Sequence, residues 1–128
     1  MGEDRRLLLL VEDDVEVAET LDDFLTDEGF RIVTARNGKE ALARLRGGLR
    51  PSAILLDLVM PEMDGWQFRK EQVADETLRG IATIIFTAAP PQPESVLDMT
   101  DVEVMRKPID GDELLRTVRR VSGRGGSA

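Results

Sequence analysis

At 128 residues the chain is long enough for one domain with a single core and too short for two. Hydrophobic residues make up 41% and charged residues 33%, an ordinary balance for a globular protein, while a formal net charge of −8 opposes contact with nucleic acid or anionic lipid. With no cysteine and no histidine, thiol chemistry, disulfides and the commonest transition-metal ligand are excluded, so any metal must be held by oxygen.

The first predicted element, a strand over residues 6–11, is apolar without alternation, as expected of a strand buried on both faces. It is far too short to span a bilayer, and no signal-peptide pattern opens the chain, so a cytoplasmic location is expected. Val17, Leu21, Phe24 and Leu25 then fall at helical spacing up to Gly29, a C-terminal glycine. A strand over 30–35 follows, then a helix capped by Asn37, with Ala41, Leu42 and Leu45 on one face and Gly47-Gly48 at its end. A third strand over 53–57 leads through Pro61 and Gly65 into a helix whose core contacts are Trp66, Phe68 and Val73. Strands over 81–86 and 102–105 come next, and Asp110 or Asp112 caps a last helix bearing Leu114, Leu115, Val118 and Val121. Residues 1–5 and the glycine-rich 122–128 read as flexible ends, leaving 6–121 as the domain.

A strand every ~25 residues with helical pattern between is the signature of βαβ units. Right-handed crossovers leave a flavodoxin-like, doubly wound α/β fold as the simplest solution. It has five parallel strands in the order 2-1-3-4-5 and helices on both faces. Ligands of such sheets bind at the carboxyl ends of the strands.

Polar residues stand at those ends: Glu12-Asp13-Asp14 after the first strand, Asp57 at the end of the third, Thr87 after the fourth, and Lys107-Pro108 after the fifth. Asp14 by itself reads as a helix cap, and Thr87 and Lys107 are individually ordinary; only the shared sheet edge raises them. Glu12, Asp13 and Asp57 crowded together would repel one another, and an oxygen-preferring dication, Mg²⁺ foremost, would neutralise them. A carboxylate nucleophile, a metal, an ammonium and a hydroxyl are the parts that phosphoryl transfer needs. The donor is missing, and because the chain has no histidine, a phosphohistidine donor must lie on another protein, unless a small acyl phosphate serves instead.

The stretches Leu9-Leu10-Val11-Glu12-Asp13-Asp14 and Leu55-Leu56-Asp57-Leu58-Val59-Met60-Pro61-Glu62-Met63-Asp64-Gly65, then Thr87-Ala88 and Lys107-Pro108, resemble the receiver domain of two-component response regulators in order and spacing. The resemblance covers residues 6–121 and implies a role for each matched position. Asp57 would be the phospho-acceptor, and Glu12, Asp13 and Asp57 would bind Mg²⁺ with the backbone carbonyl of Val59. Thr87 and Lys107 would contact the phosphoryl group. The donor would be a histidine kinase or histidine phosphotransfer protein. The output would be a protein target met through helix four, strand five and helix five, with no nucleic acid or membrane bound by this domain. Such a domain is a signalling module that catalyses only its own phosphorylation and dephosphorylation.

Three departures from the family pattern carry expectations. Val104 stands where a switching Tyr or Phe is usual. Pro90, Pro91 and Pro93 imply a fourth helix that is short or displaced. Val59 and Ala89 put apolar groups where many relatives have polar ones, which hinders in-line attack by water and implies a long-lived phosphorylated form. Two other readings stand beside the first: a pseudo-receiver that binds partners without phosphorylation, and an aspartyl-phosphate phosphatase. The latter would carry a second acid at the position of Val59.

Overall fold

The computed structural model describes residues 6–57, 65–87 and 102–126. Five strands, β1 (Leu7–Val11), β2 (Arg31–Ala35), β3 (Ala53–Asp57), β4 (Thr83–Thr87) and β5 (Val102–Arg106), form one parallel sheet in the order β2-β1-β3-β4-β5. Among the described residues four helices accompany them: α1 (Val15–Asp27), α2 (Gly38–Arg46), α3 (Gly65–Ala74) and a last helix, here α4 (Gly111–Gly126). This is the flavodoxin-like arrangement expected from the sequence. None of the described helices is long and apolar enough to cross a membrane.

The unbroken apolar strands explain the layering. Side chains alternate between sheet faces along a strand, and both faces of the central strands are covered. Leu8, Leu10, Leu55, Ile84 and Phe86 pack on one side against Leu21 and Leu25 of α1 and Leu114 and Val118 of α4. Leu9, Val11, Ile54, Leu56 and Ile85 pack on the other against Leu42 and Leu45 of α2 and Phe68 of α3. β1 and β3 are therefore almost wholly buried, and their polar continuations can leave the core only at the strand ends.

Local chemistry fixes the element ends. Gly29 follows α1 at φ +102°, a conformation that a Cβ disfavours, and Asn37 caps α2 by accepting from the Glu40 amide at 2.8 Å. Asp110, not Asp112, caps α4: its Oδ1 accepts from the amides of Asp112 at 2.9 Å and Glu113 at 3.3 Å. Gly111 lies against α1 so closely that a Cβ there would stand 3.3 Å from the Phe24 ring.

Some expectations need revision. β4 starts two residues later than read from the sequence, because Thr83, not Ile81, is the first residue in the ladder. Val73 is only half-buried, and the inward positions of α3 beside Phe68 go to Arg69 and Gln72. α4 does not stop at Val121 to leave a flexible tail but runs to Gly126, with Ser122 fully buried and 3.4 Å from Arg6 Nη1. The first tail residue is thus packed against the start of β1, which overrides the weak helix propensity of a Ser-Gly sequence. The Trp66 side chain, residues 1–5 and the stretch expected to hold the short fourth helix lie outside the described residues.

Gln72 staples α3 to the following loop and to β4. Its amide nitrogen lies within bonding distance of Leu78 O (3.0 Å), Ile81 O (3.2 Å) and Thr83 Oγ1 (3.2 Å), and its Oε1 accepts from Arg69 Nη1 at 2.9 Å. Replacing it with leucine keeps the volume but strips a buried network of its central donor and acceptor. Gln72→Leu should lower the unfolding free energy by about 2 kcal/mol in urea titrations. A change under about 0.5 kcal/mol would mean that the network is not structural.

Candidate functional site

β1 and β3 run side by side with Val11 opposite Leu56, so the next residues, Glu12 and Asp57, emerge together at the carboxyl edge. Their burial differs from that of ordinary acids: Glu12 is 3% exposed and Asp57 5%. Asp13 is exposed above them. Glu12, Asp13 and Asp57 each offer a carboxylate oxygen within 4.8 Å of the others. From the far side β5 delivers a counter-charge: Lys107 directly follows Arg106, and its Nζ donates to Asp57 Oδ2 at 3.3 Å.

The start of α1 shapes the other rim. Asp14 caps the helix, its Oδ1 accepting from Glu16 N at 3.0 Å and Val17 N at 3.3 Å, while its own amide donates to Glu12 Oε2 at 3.2 Å. The second oxygen, Glu12 Oε1, is buried and has no hydrogen-bond partner among the described residues. Burial first, then the charge of Asp57, push the Glu12 carboxyl up from 4.5 to about 7, against the pull of the Asp14 amide and Lys107.

These residues fit a hard dication. Three carboxylates face one ammonium, the donors are all oxygen, and a buried oxygen is left without a partner. A cation of that kind would relieve the same repulsion that raises the Glu12 pKa.

Of the residues singled out in the sequence, Glu12, Asp13, Asp57 and Lys107 come together. Thr87 is the last residue of β4, in register with Arg106 and so on the same edge, but its side chain is not among the described groups. Val59 lies outside the described residues. Val104, in place of the usual aromatic, sits on the edge strand β5 at 39% exposure. The sequence did not disclose the tie from Glu12 to the Asp14 amide, whose only signal was the adjacency of three acids. It also hid an apolar groove of about 420 Å³ between α1 and the segment after β5. Val17 and Leu21, which the sequence places only at helical spacing, line that groove with Pro108 and Ile109.

Comparison with known proteins agrees with this geometry. The family model described as the response regulator receiver domain matches residues 8–119. Among curated relatives, the transcriptional regulatory protein CpxR homolog of Haemophilus influenzae is 32% identical over 94% of this chain, and the match covers 52% of that protein. The chain therefore spans about half the length of that relative. Among solved structures, the signal receiver domain of a signal transduction histidine kinase from Syntrophus aciditrophicus superposes with a TM-score of 0.84 at 30% identity. That match covers 96% of this chain and 94% of that one. The receiver domain of a sensor histidine kinase from Pseudomonas aeruginosa gives 0.80 at 28% identity, covering 93% and 98%, and holds a magnesium ion coordinated in its active site cleft.

The Glu12 shift has a definite sign. The folded state binds its proton more tightly than the unfolded chain does, so this group's contribution is fully present below about 4.5 and is lost as pH rises through about 7. The metal-free protein should therefore lose thermal stability across that window, and Glu12→Gln should flatten the loss and raise Tm at pH 8 by roughly 3–5 °C. Mg²⁺ at ten times its Kd should stabilise the wild type by about 1.4 kcal/mol and the variant by much less. Equal Mg²⁺ stabilisation of both proteins would remove Glu12 from the metal site.

Proposed function

The chain belongs to the response regulator receiver family, and from that membership we propose that it is a phospho-acceptor module of two-component signalling. Asp57 takes a phosphoryl group from the phosphohistidine of a partner histidine kinase or histidine phosphotransfer protein. The modification then alters a surface that a downstream protein reads. The observation that carries this reading is the contact of Lys107 Nζ with Asp57 Oδ2, 3.3 Å apart, inside a pocket of buried acids.

The chemistry needs little covalent machinery from the protein. An Asp57 oxygen attacks phosphorus while the phosphorus–nitrogen bond breaks, and the electron pair leaves on the imidazole of the donor. The Lys107 ammonium neutralises charge gathering on the phosphoryl oxygens, and the Thr87 hydroxyl donates a hydrogen bond to one of them. Mg²⁺, held by Glu12, Asp13 and Asp57 with the Val59 carbonyl, would supply further positive charge there. The magnesium ion in the Pseudomonas aeruginosa relative supports this assignment.

The alternatives fare worse. A pseudo-receiver has no need of a buried acceptor carboxylate with an ammonium on it, and a phosphatase lacks its second acid where Val59 stands. Incubation with Mg²⁺ and acetyl phosphate should add one phosphoryl mass to the wild type and none to Asp57→Asn, read by intact mass spectrometry. An unmodified wild type would favour the pseudo-receiver, and steady phosphate release from monoesters would favour the phosphatase. With the apolar Val59 and Ala89 two positions after Asp57 and Thr87 in the sequence, the phosphorylated form should persist for many minutes without a phosphatase. Decay within seconds would show that these side chains do not shield the acyl phosphate.

A further inference from the structure

Helix α1 carries Glu16, Glu19, Asp22, Asp23 and Asp27 and no lysine or arginine. Acids four apart, such as Glu19 and Asp23, repel each other, and those near the carboxyl end also oppose the helix dipole. Two of these acids do more than face water. Glu19 and Asp22, with Val15 and Ala18, form an i, i+3, i+4, i+7 stripe along α1, and between that stripe and the end of β2 lies a cavity of about 210 Å³. Its opposite wall is built from Thr34 and from Arg36, the residue that follows β2. Glu12 forms the buried end of the cavity, 3% exposed and with its Oε1 unpartnered among the described residues. One carboxylate therefore belongs both to the acid pocket and to this cavity.

The two walls carry opposite charges that do not close on each other. Among the described residues no ion pair joins Arg36 to Glu19 or Asp22. Asp22 Oδ1 accepts from Thr26 Oγ1 at 2.9 Å, and Arg36 is held through its backbone, whose amide donates to Glu40 Oε1 at 2.6 Å. A guanidinium pairs with a carboxylate as a two-pronged fork, and an ammonium with three donors suits a pair of carboxylates. A dication would be repelled by Arg36 and a dianion by Glu19 and Asp22, so only an occupant with both charges uses both walls. The volume lies below the ~300–1,000 Å³ of pockets for drug-sized ligands, which makes that occupant small. We propose that the cavity binds a zwitterion of amino-acid size, with its carboxylate on Arg36, its ammonium towards Glu19 and Asp22, and its apolar part over Val15 and Ala18. Through Glu12 its occupancy is linked to the metal site: an ammonium nearby opposes a cation held by the same carboxylate, so each ligand weakens the other by one factor. The cavity's ligand does not depend on phosphorylation of Asp57, whereas the link rests on Glu12 holding the metal.

Isothermal titration calorimetry of the full chain in Mg²⁺-free buffer tests the site, with each standard amino acid, β-alanine and γ-aminobutyrate as probes. At least one should bind with a Kd below about 1 mM, whereas putrescine and succinate, which carry one kind of charge each, should not. Arg36→Gln and Glu19→Gln, both at exposed positions, should each weaken that binding roughly tenfold. Thr34→Trp fills the cavity from an exposed position of the edge strand and should abolish binding, with circular dichroism reporting that each variant is folded. Saturating Mg²⁺ should raise the Kd of the bound amino acid at least about threefold in the wild type. Failure of every amino acid to bind would overturn the site, as would binding that all three variants leave intact. Equal binding of putrescine or succinate would overturn the zwitterion assignment. An affinity indifferent to Mg²⁺ would break the link through Glu12, while a wild type that takes up no Mg²⁺ in the same calorimeter would refute the metal reading instead.

Discussion

Parallel pairing of two fully buried strands is the constraint from which the site follows. Because β1 and β3 are apolar on both faces, neither can place a polar side chain anywhere but at or just beyond its last residue, and their register brings those ends level. Glu12 and Asp57 are thereby forced together at low exposure, where each raises the energy of the other. One ammonium, Lys107, faces three carboxylates. Among the described residues the pocket therefore carries an excess of negative charge, which a bound cation would relieve.

The helices do more than cover the sheet. α1 serves the site through its first turn, where the Asp14 cap orients both the helix and, by its amide, one oxygen of Glu12. α4 begins only four residues after Lys107, with Asp110 as its cap and Gly111 against the Phe24 ring. The segment that carries the ammonium is thus held between a cap and a close helix contact, where a side chain at Gly111 would require the Phe24 ring to shift by a few tenths of an ångström.

Much of this was legible in the sequence, for identifiable reasons. Uninterrupted apolar strands announce a sheet buried on both faces, and the polar residues at the strand ends announce the edge where they meet; the proximity of Glu12, Asp57 and Lys107 was readable in that way. Asn37 and Gly29 were readable because caps and left-handed turns demand particular residues. What stayed hidden depends on tertiary contacts without a periodic signature. Arg69 and Gln72 look like solvated helix residues, yet they fill inward positions because Gln72 satisfies loop carbonyls that would otherwise be buried alone. Ser122 looks like the start of a tail, yet it is buried within the helix with Arg6, just before β1, donating to its hydroxyl. The groove was invisible for a similar reason: a pattern can say that Val17 and Leu21 are apolar, not that Pro108 and Ile109 stop short of covering them.

Magnitudes explain how α1 tolerates its acids. An uncompensated anion near a helix carboxyl end costs about 0.3–1 kcal/mol, and a like-charge pair four residues apart adds a few tenths. Complete burial of one leucine contributes about 1.5–3 kcal/mol, and α1 buries Leu21 and Leu25 together with Ala18. The apolar face therefore outweighs the acidic one, and the helix can carry a row of negative charge without losing its place on the sheet. The apolar contacts are shielded from solvent, whereas the charges project into it, so added salt acts on the second face alone. A single helix in this way anchors the fold with one side and presents charge to solvent with the other.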